Sequence, residues 1–236
     1  MRQTAKKNSQ RSNPLVERSP ARLKHLPEPD WIEFALPPQH ICLLTNDGSP
    51  LTRELAETLT ARGIQVVVVS FPQLLTSKVS LPPEINHIVI EDDLSQQLDA
   101  IADRFGSIAA LIHLQPQFLD REREHKMLER VFFLAKQLKT SLNKAAQKGD
   151  SCWLTVAHLD GELGTTGNGF DAITGGLFGL TKALRWEWSS VFCRAIDLGK
   201  DLDVSTSVKH IIAELHDPNR LIAEVGYSDS RTTLVC

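Results

Sequence analysis

From residue 41 onward the chain alternates short, almost continuously apolar runs with longer segments whose apolar residues recur three and four apart. ICLLTND (41–47) is the first run. After Gly48, Ser49 and Pro50 comes LTRELAETLTARG (51–63), with Leu51, Leu55 and Leu59 at i, i+4 spacing and Gly63 as a stop, the pattern of a helix. IQVVVVSFP (64–72) is β-branched and apolar throughout, as a strand buried on both faces is. INHIVIED (85–92) and IAALIHLQP (108–116) read as further strands, with LSQQLDAIADRFG (94–106) a helix between them. A helical stretch from about Asp120 to Lys148 follows, then the strand CWLTVAHL (152–159), a small-residue helix in GNGFDAITGGLFGLTKALRWEW (167–188), and the strand VFCRAIDL (191–198). VSTSVKHIIAELH (204–216) closes as a helix, and a last strand pair spans EVGYSDSRTTLVC (224–236).

Strands that alternate with helices at this spacing need right-handed crossovers and a mostly parallel sheet with helices on both faces. The expected fold is therefore α/β, doubly wound and Rossmann-like, one domain over residues 26–236 with six or seven strands. Ahead of it, residues 1–25 hold Arg2, Lys6, Lys7, Arg11, Arg18, Arg22 and Lys24 against one acid, Glu17, with no apolar run. This composition predicts a disordered basic linker without a secretion signal. In the stretch 25–40, prolines interrupt regular structure while Trp31, Ile32 and Phe34 offer something to bury, so an extended strap on the domain is expected.

Composition narrows the function. The 236 residues are 42% hydrophobic and 23% charged with a formal net charge of −3, which gives no global field for nucleic acid or an anionic membrane surface. Runs long enough to span a bilayer are absent from the sequence. Cys42, Cys152, Cys193 and Cys236 are scattered, the first three inside apolar runs, and the eight histidines form no metal-ligand spacing. No metal, no nucleic-acid partner, no membrane and a reducing, cytoplasmic setting are the expectations.

A Rossmann-like sheet directs attention to the turn after its first strand, where glycines let backbone approach phosphate and a helix N-terminus supplies positive potential. That turn reads TNDGSPLT. Its single glycine is Gly48, Asp47 puts an acid where an anion would sit, and Pro50 removes an N–H donor. Neither GxGxxG nor GxxxxGK[ST] occurs, so Asp47 or Ser49 capping the helix is the expected use of the turn, and no cofactor-binding residue is assigned.

The helix within 167–188 carries small residues at Gly169, Ala172, Gly175, Gly176 and Gly179, which would let it lie close against a neighbour. Its run GLTKALRWEW resembles the GLTRALAxEL run that follows the catalytic YxxxK of short-chain dehydrogenases/reductases. Aligned on Gly179, the resemblance puts Phe170 at the tyrosine position, Thr174 at the lysine position and Ala157 at the serine position. All three functional groups are missing: phenylalanine has no proton to give and threonine no charge to lower a neighbour's pKa. Catalytic residues on this register are therefore none. Tyr227, the chain's single tyrosine, lacks a lysine four residues later. Leu177, Leu180, Leu184 and Trp188 instead form an apolar packing face.

ICLLTNDGSPLTRELAETLTARGIQVVVVSFP, GGLFGLTKALRWEWSSVFCRAIDL and HIIAELHDPNRLIAEVGYSDSRTTLV together resemble the structural, noncatalytic half of the ketoreductase region in multidomain type I polyketide synthases, of the bacterial polyunsaturated-fatty-acid and heterocyst-glycolipid type. The resemblance covers residues 26–236. It implies a degenerate Rossmann subdomain that stabilises a catalytic half, with that half, the synthase's other domains and an acyl carrier protein as partners, and with NADPH and phosphopantetheine belonging to the parent rather than to this chain. Two other readings stay open: a binding module that senses a nucleotide or an acyl carrier, and an autonomous enzyme using His158, Asp160 and Glu162 of HLDGE as a rearranged site.

Overall fold

A computed structural model describes residues 19–75, 77, 79–91, 93–167 and 172–235. The described residues form one nine-stranded sheet and five α-helices. In chain order these are β1 (Arg22–His25), β2 (His40–Thr45), α1 (Pro50–Ala61), β3 (Val66–Ser70), β4 (Asn86–Val89), α2 (Leu94–Phe105), β5 (Ser107–Leu114), α3 (Arg121–Ala145), β6 (Cys152–Ala157), α4 (Ala172–Glu187), β7 (Phe192–Leu198), α5 (Val204–Leu215), β8 (Glu224–Tyr227) and β9 (Arg231–Val235). Across the sheet the order is β1-β9-β8-β7-β6-β5-β2-β3-β4. Every pair from β8 to β4 is parallel, and the two antiparallel contacts are β8 with β9 and β9 with β1. The chain winds outward from β2 in both directions, which makes the β2/β5 boundary the topological switch point of a Rossmann-type sheet.

Two apolar layers sandwich the sheet. On one face α2, α3 and α4 bury residues such as Leu98, Leu134 and Leu177 against Leu43, Leu111 and Trp153. On the other, α1 and α5 bury Leu55, Leu59 and Ile211 against Leu44, Val68 and Ile196. The alternation along the central strands sends odd and even positions to opposite layers, and both layers are apolar, so these strands read as unbroken apolar runs. Capping fixes where the helices begin: Asp93, Asp120 and Asp203 accept from the backbone N–H of Gln96, Arg123 and Thr206.

The expected count of six or seven strands is corrected to nine among the described residues. Eight of the nine match runs that read as strands in the sequence, and the ninth is the edge strand β1, RLKH, whose Arg22 lies opposite Val235 in the antiparallel register. Residues 22–25 are thus part of the sheet rather than of a linker, while 1–18 lie outside the described residues. Behind β1 the strap runs over the α1/α5 side as expected. Of its three aromatic or aliphatic anchors only Phe34 is buried. Trp31 and Ile32 stay exposed, Trp31 stacking on His216 at 3.9 Å between ring centres.

A buried ionic cluster ties strap, sheet and helix together. Glu214 of α5 accepts from Arg194 of β7, from Arg231 Nε of β9 at 2.6 Å and from the Tyr227 hydroxyl of β8 at 2.6 Å. Asp217 accepts from the same two arginines at 2.8 and 2.5 Å, and Arg231 also donates to the Pro27 carbonyl at 3.0 Å. Two cations face two anions, so the charges balance within the cluster.

Candidate functional site: the carboxyl ends of the strands

At the switch point, side chains of β2 and β5 bond to each other. Thr45 at the end of β2 meets His113 Nδ1 of β5 at 2.9 Å, and His113 Nε2 lies 3.2 Å from Gln115 Oε1. His113 is fully buried, and burial pushes its pKa down to about 4 against the opposing effect of the Gln115 hydrogen bond. The ring is neutral at pH 7 and occupies space between the two strand ends.

The turn after β2 is equally self-contained. Asp47 folds its carboxylate back on the start of α1, accepting from Ser49 N at 2.9 Å, Ser49 Oγ at 2.7 Å and Thr52 Oγ1 at 2.6 Å. Asn46 Oδ1 takes the Gly48 N–H at 2.8 Å, Ser49 Oγ takes the Leu51 N–H at 3.1 Å, and Pro50 stands at the first helical position. The Asp47 carboxylate thus engages one amide and two hydroxyls at the start of α1. The segment after β3 covers the turn, with Ser77 Oγ donating to the Gly48 carbonyl at 2.7 Å. Gly48 has φ +78°, and a Cβ there would come within 2.8 Å of Ser77. Engaged amides, an acidic side chain within the turn and the Ser77 contact do not fit a dinucleotide pyrophosphate.

The short-chain dehydrogenase/reductase register points to three degenerate catalytic positions. Ala157 ends β6, fully buried and paired with Asp197 of β7. Thr174 lies half-buried in the first turn of α4. Phe170 lies outside the described residues, as does Gly169. The structure thus keeps the strand and helix on which the resemblance rests, with a methyl group and a threonine at the two described positions. The small residues of α4 do not bring it close to a neighbour within the chain: a Cβ at Gly175 or Gly179 would meet nothing within 4 Å, and one at Gly176 only Leu128 at 3.6 Å. Leu177, Leu184 and Trp188 are buried and Leu180 partly so, as the apolar pattern predicts, and Trp188 packs edge-on against Trp153 at 5.7 Å.

His158, Asp160 and Glu162 share one loop without forming an acid–base pair. Asp160 accepts from Glu162 N and Gly164 N at 2.8 Å and from Thr166 Oγ1 at 2.8 Å. Burial opposes ionisation of this carboxyl, but the bonds from Gly164, Thr166 and Glu162 win and hold its pKa below the usual range. It is a loop-shaping acceptor. Glu162 meets the Ser228 hydroxyl at 3.3 Å. His158 has its basicity lowered by burial, while the nearby charge of Asp47 works the other way. Asp197 beneath the loop accepts from Leu159 N at 2.7 Å and Leu163 N at 2.8 Å; burial nevertheless pushes its pKa up to about 6.

One further cluster has no local signal in the sequence. Ser70 at the end of β3 sits 2.7 Å from His87 Nε2 of β4 and 2.9 Å from Asn46 Nδ2, at the polar end of a cavity of about 390 Å³. The residues are far apart in the chain, and only the parallel β2-β3-β4 register brings them together. Groups of three or more His, Cys, Asp or Glu able to hold a metal do not occur among the described residues, nor does a helix long and apolar enough to cross a membrane. Cys42, Cys152 and Cys193 are buried free thiols whose pKa burial raises.

The fold is the Rossmann-like α/β architecture that short-chain dehydrogenases/reductases share. A short-chain dehydrogenase/reductase of the glucose/ribitol dehydrogenase type from Brucella melitensis superposes with a TM-score of 0.57 at 18% identity, over 82% of this chain and 95% of that one. A short-chain dehydrogenase from Leptospira borgpetersenii, solved with bound NAD+, gives 0.58 at 12% identity over 80% and 91%. In sequence the chain is 30% identical over 217 residues to a polyunsaturated fatty acid synthase polypeptide of Thraustochytrium sp., an alignment that takes in 87% of this chain and 8% of that protein. The chain thus spans a small part of this relative's length. No family model matches it.

Proposed function

We propose that this chain is the noncatalytic structural subdomain of a synthase ketoreductase region, packing against and stabilising the NADPH-dependent catalytic half that reduces carrier-bound β-ketoacyl chains. The observation that supports the reading is the turn 46–52, in which the Asp47 carboxylate accepts from Ser49 N, Ser49 Oγ and Thr52 Oγ1 where a dinucleotide-binding turn would be glycine-rich. Likeness to a fatty acid synthase polypeptide supports the kind of parent. A surface for the partner half is supported by α3 and α4, which run side by side with Leu128 at Gly176 and Lys139 paired to Glu187 at 3.6 Å. Along this pair Gly175 and Gly179 stand open and Phe132 and Phe133 remain exposed.

Two experiments test this. Calorimetry of the isolated chain with NADPH and NADP is expected to show no binding in the micromolar range, and a micromolar dissociation constant would overturn the noncatalytic assignment. Co-expression with the catalytic half is expected to give a stable complex and a raised melting temperature for both parts. The other enzymatic reading, through His158, Asp160 and Glu162, has no support in the geometry, because the Asp160 carboxylate is taken up by its own loop.

A further inference from the structure

We propose that Ser70 is an acyl-accepting nucleophile with His87 as its general base, and that the cavity beside them takes the aliphatic part of an acyl ester or thioester. This goes beyond the structural role and does not depend on it. Chemistry fixes the directions of the two Asn46 hydrogen bonds. Gly48 N–H can only donate, so the atom of Asn46 that faces it at 2.8 Å is the carbonyl oxygen. The amide nitrogen of Asn46 is thereby turned to Ser70 Oγ, 2.9 Å away, and must donate to it. Ser70 then has its one proton free for His87 Nε2 at 2.7 Å. A hydroxyl that accepts from an amide and donates to an imidazole has the arrangement of an activated serine. Burial lowers the basicity of His87, which favours the uncharged ring, and in the Nδ1–H tautomer its Nε2 lone pair receives the proton.

The space next to this pair is suited to an acyl chain. Apart from Asn46, Ser70, Ser77 and His87, the cavity of about 390 Å³ is walled by Pro72, Leu75, Val79 and Val89. In the proposed step Ser70 Oγ bonds to the carbonyl carbon while its proton moves to His87 Nε2. Collapse of the tetrahedral intermediate breaks the C–S or C–O bond, and the leaving thiolate or alkoxide takes the proton back from His87. The products are an ester on Ser70 and a free thiol or alcohol, with no change in oxidation state.

The test uses the full chain with two acyl donors in separate arms, the butyryl thioester of N-acetylcysteamine and p-nitrophenyl butyrate, followed by peptide mapping. A butyryl adduct on Ser70 is expected, absent from Ser70→Ala and formed about 10²-fold more slowly by His87→Ala. The two arms tell thioester from oxoester as the source. Ser70→Cys, nearly isosteric, guards against a folding defect in the alanine variant: iodoacetamide should alkylate position 70 well ahead of the buried Cys42, Cys152 and Cys193. No Ser70 adduct from either donor on folded protein would overturn the proposal, and so would an adduct that forms equally fast without the His87 ring.

Discussion

Individual buried polar residues set how this protein answers to pH, and two of them pull in opposite directions. His113 has a pKa of about 4 when folded against 6.5 for an exposed histidine. Between those values the unfolded chain binds a proton that the folded chain refuses, so the residue's contribution is full above pH 6.5 and falls as pH drops toward 4, by on the order of 3 kcal/mol. Asp197 works the other way. Its folded pKa of about 6 lies above the ordinary 3.8, so its contribution is full below pH 3.8 and is lost as pH rises through 6. The two nearly cancel in the parent, and single variants separate them. The stability deficit of His113→Gln relative to parent should narrow as urea unfolding is moved from pH 7 to pH 4.5. That of Asp197→Asn should widen over the same range. If both deficits stay constant with pH, neither group titrates as its burial requires.

At the scale of elements, the buried cluster on α5, β7, β8 and β9 explains what the sequence motif VFCRAIDL followed by EVGYSDSRTTLV encodes. Arg194, Tyr227 and Arg231 in that motif all converge on Glu214. Glu214→Gln keeps the shape and removes one charge, leaving two buried guanidinium groups against Asp217 alone. A loss of about 3–5 kcal/mol is expected in equilibrium unfolding. A loss under about 1 kcal/mol would mean that water reaches the cluster. The long elements around it were legible because core burial imposes a period: Leu51, Leu55 and Leu59 give α1, and 66–69, all valine, gives β3. β1 was not legible, since RLKH is short, polar and exposed, and is a strand only because β9, some 200 residues on, offers it an edge. The same limit hid Ser70 and His87, whose proximity is a matter of register between strands. The capped start of α1 could be read, because Asp47, Ser49 and Pro50 act within their own neighbourhood.

Over the whole molecule, β1 and β9 close the sheet by joining the two ends of the described chain, and this joint carries a testable share of the stability. β1 pairs four residues with β9, Leu26 N donates to Arg231 O at 2.8 Å, and Pro27 O receives Arg231 Nη1 at 3.0 Å. Removing residues 1–29 strips these bonds and leaves one donor of a buried arginine without its acceptor. At roughly 1 kcal/mol per net hydrogen bond, and more for the charged one, a loss on the order of 4 kcal/mol is expected. For a chain of this size that corresponds to a fall in Tm of about 8–16 °C. Removing residues 1–18 deletes only the basic segment whose composition predicts a linker, and should change Tm by no more than a degree or two. Scanning calorimetry of the two truncations beside the full chain therefore measures the edge strand apart from the segment ahead of it. Equal melting of all three would show that the sheet ends at β9 in solution and that residues 22–29 contribute no structure. A large loss on removing 1–18 alone would instead make the basic segment part of the folded unit.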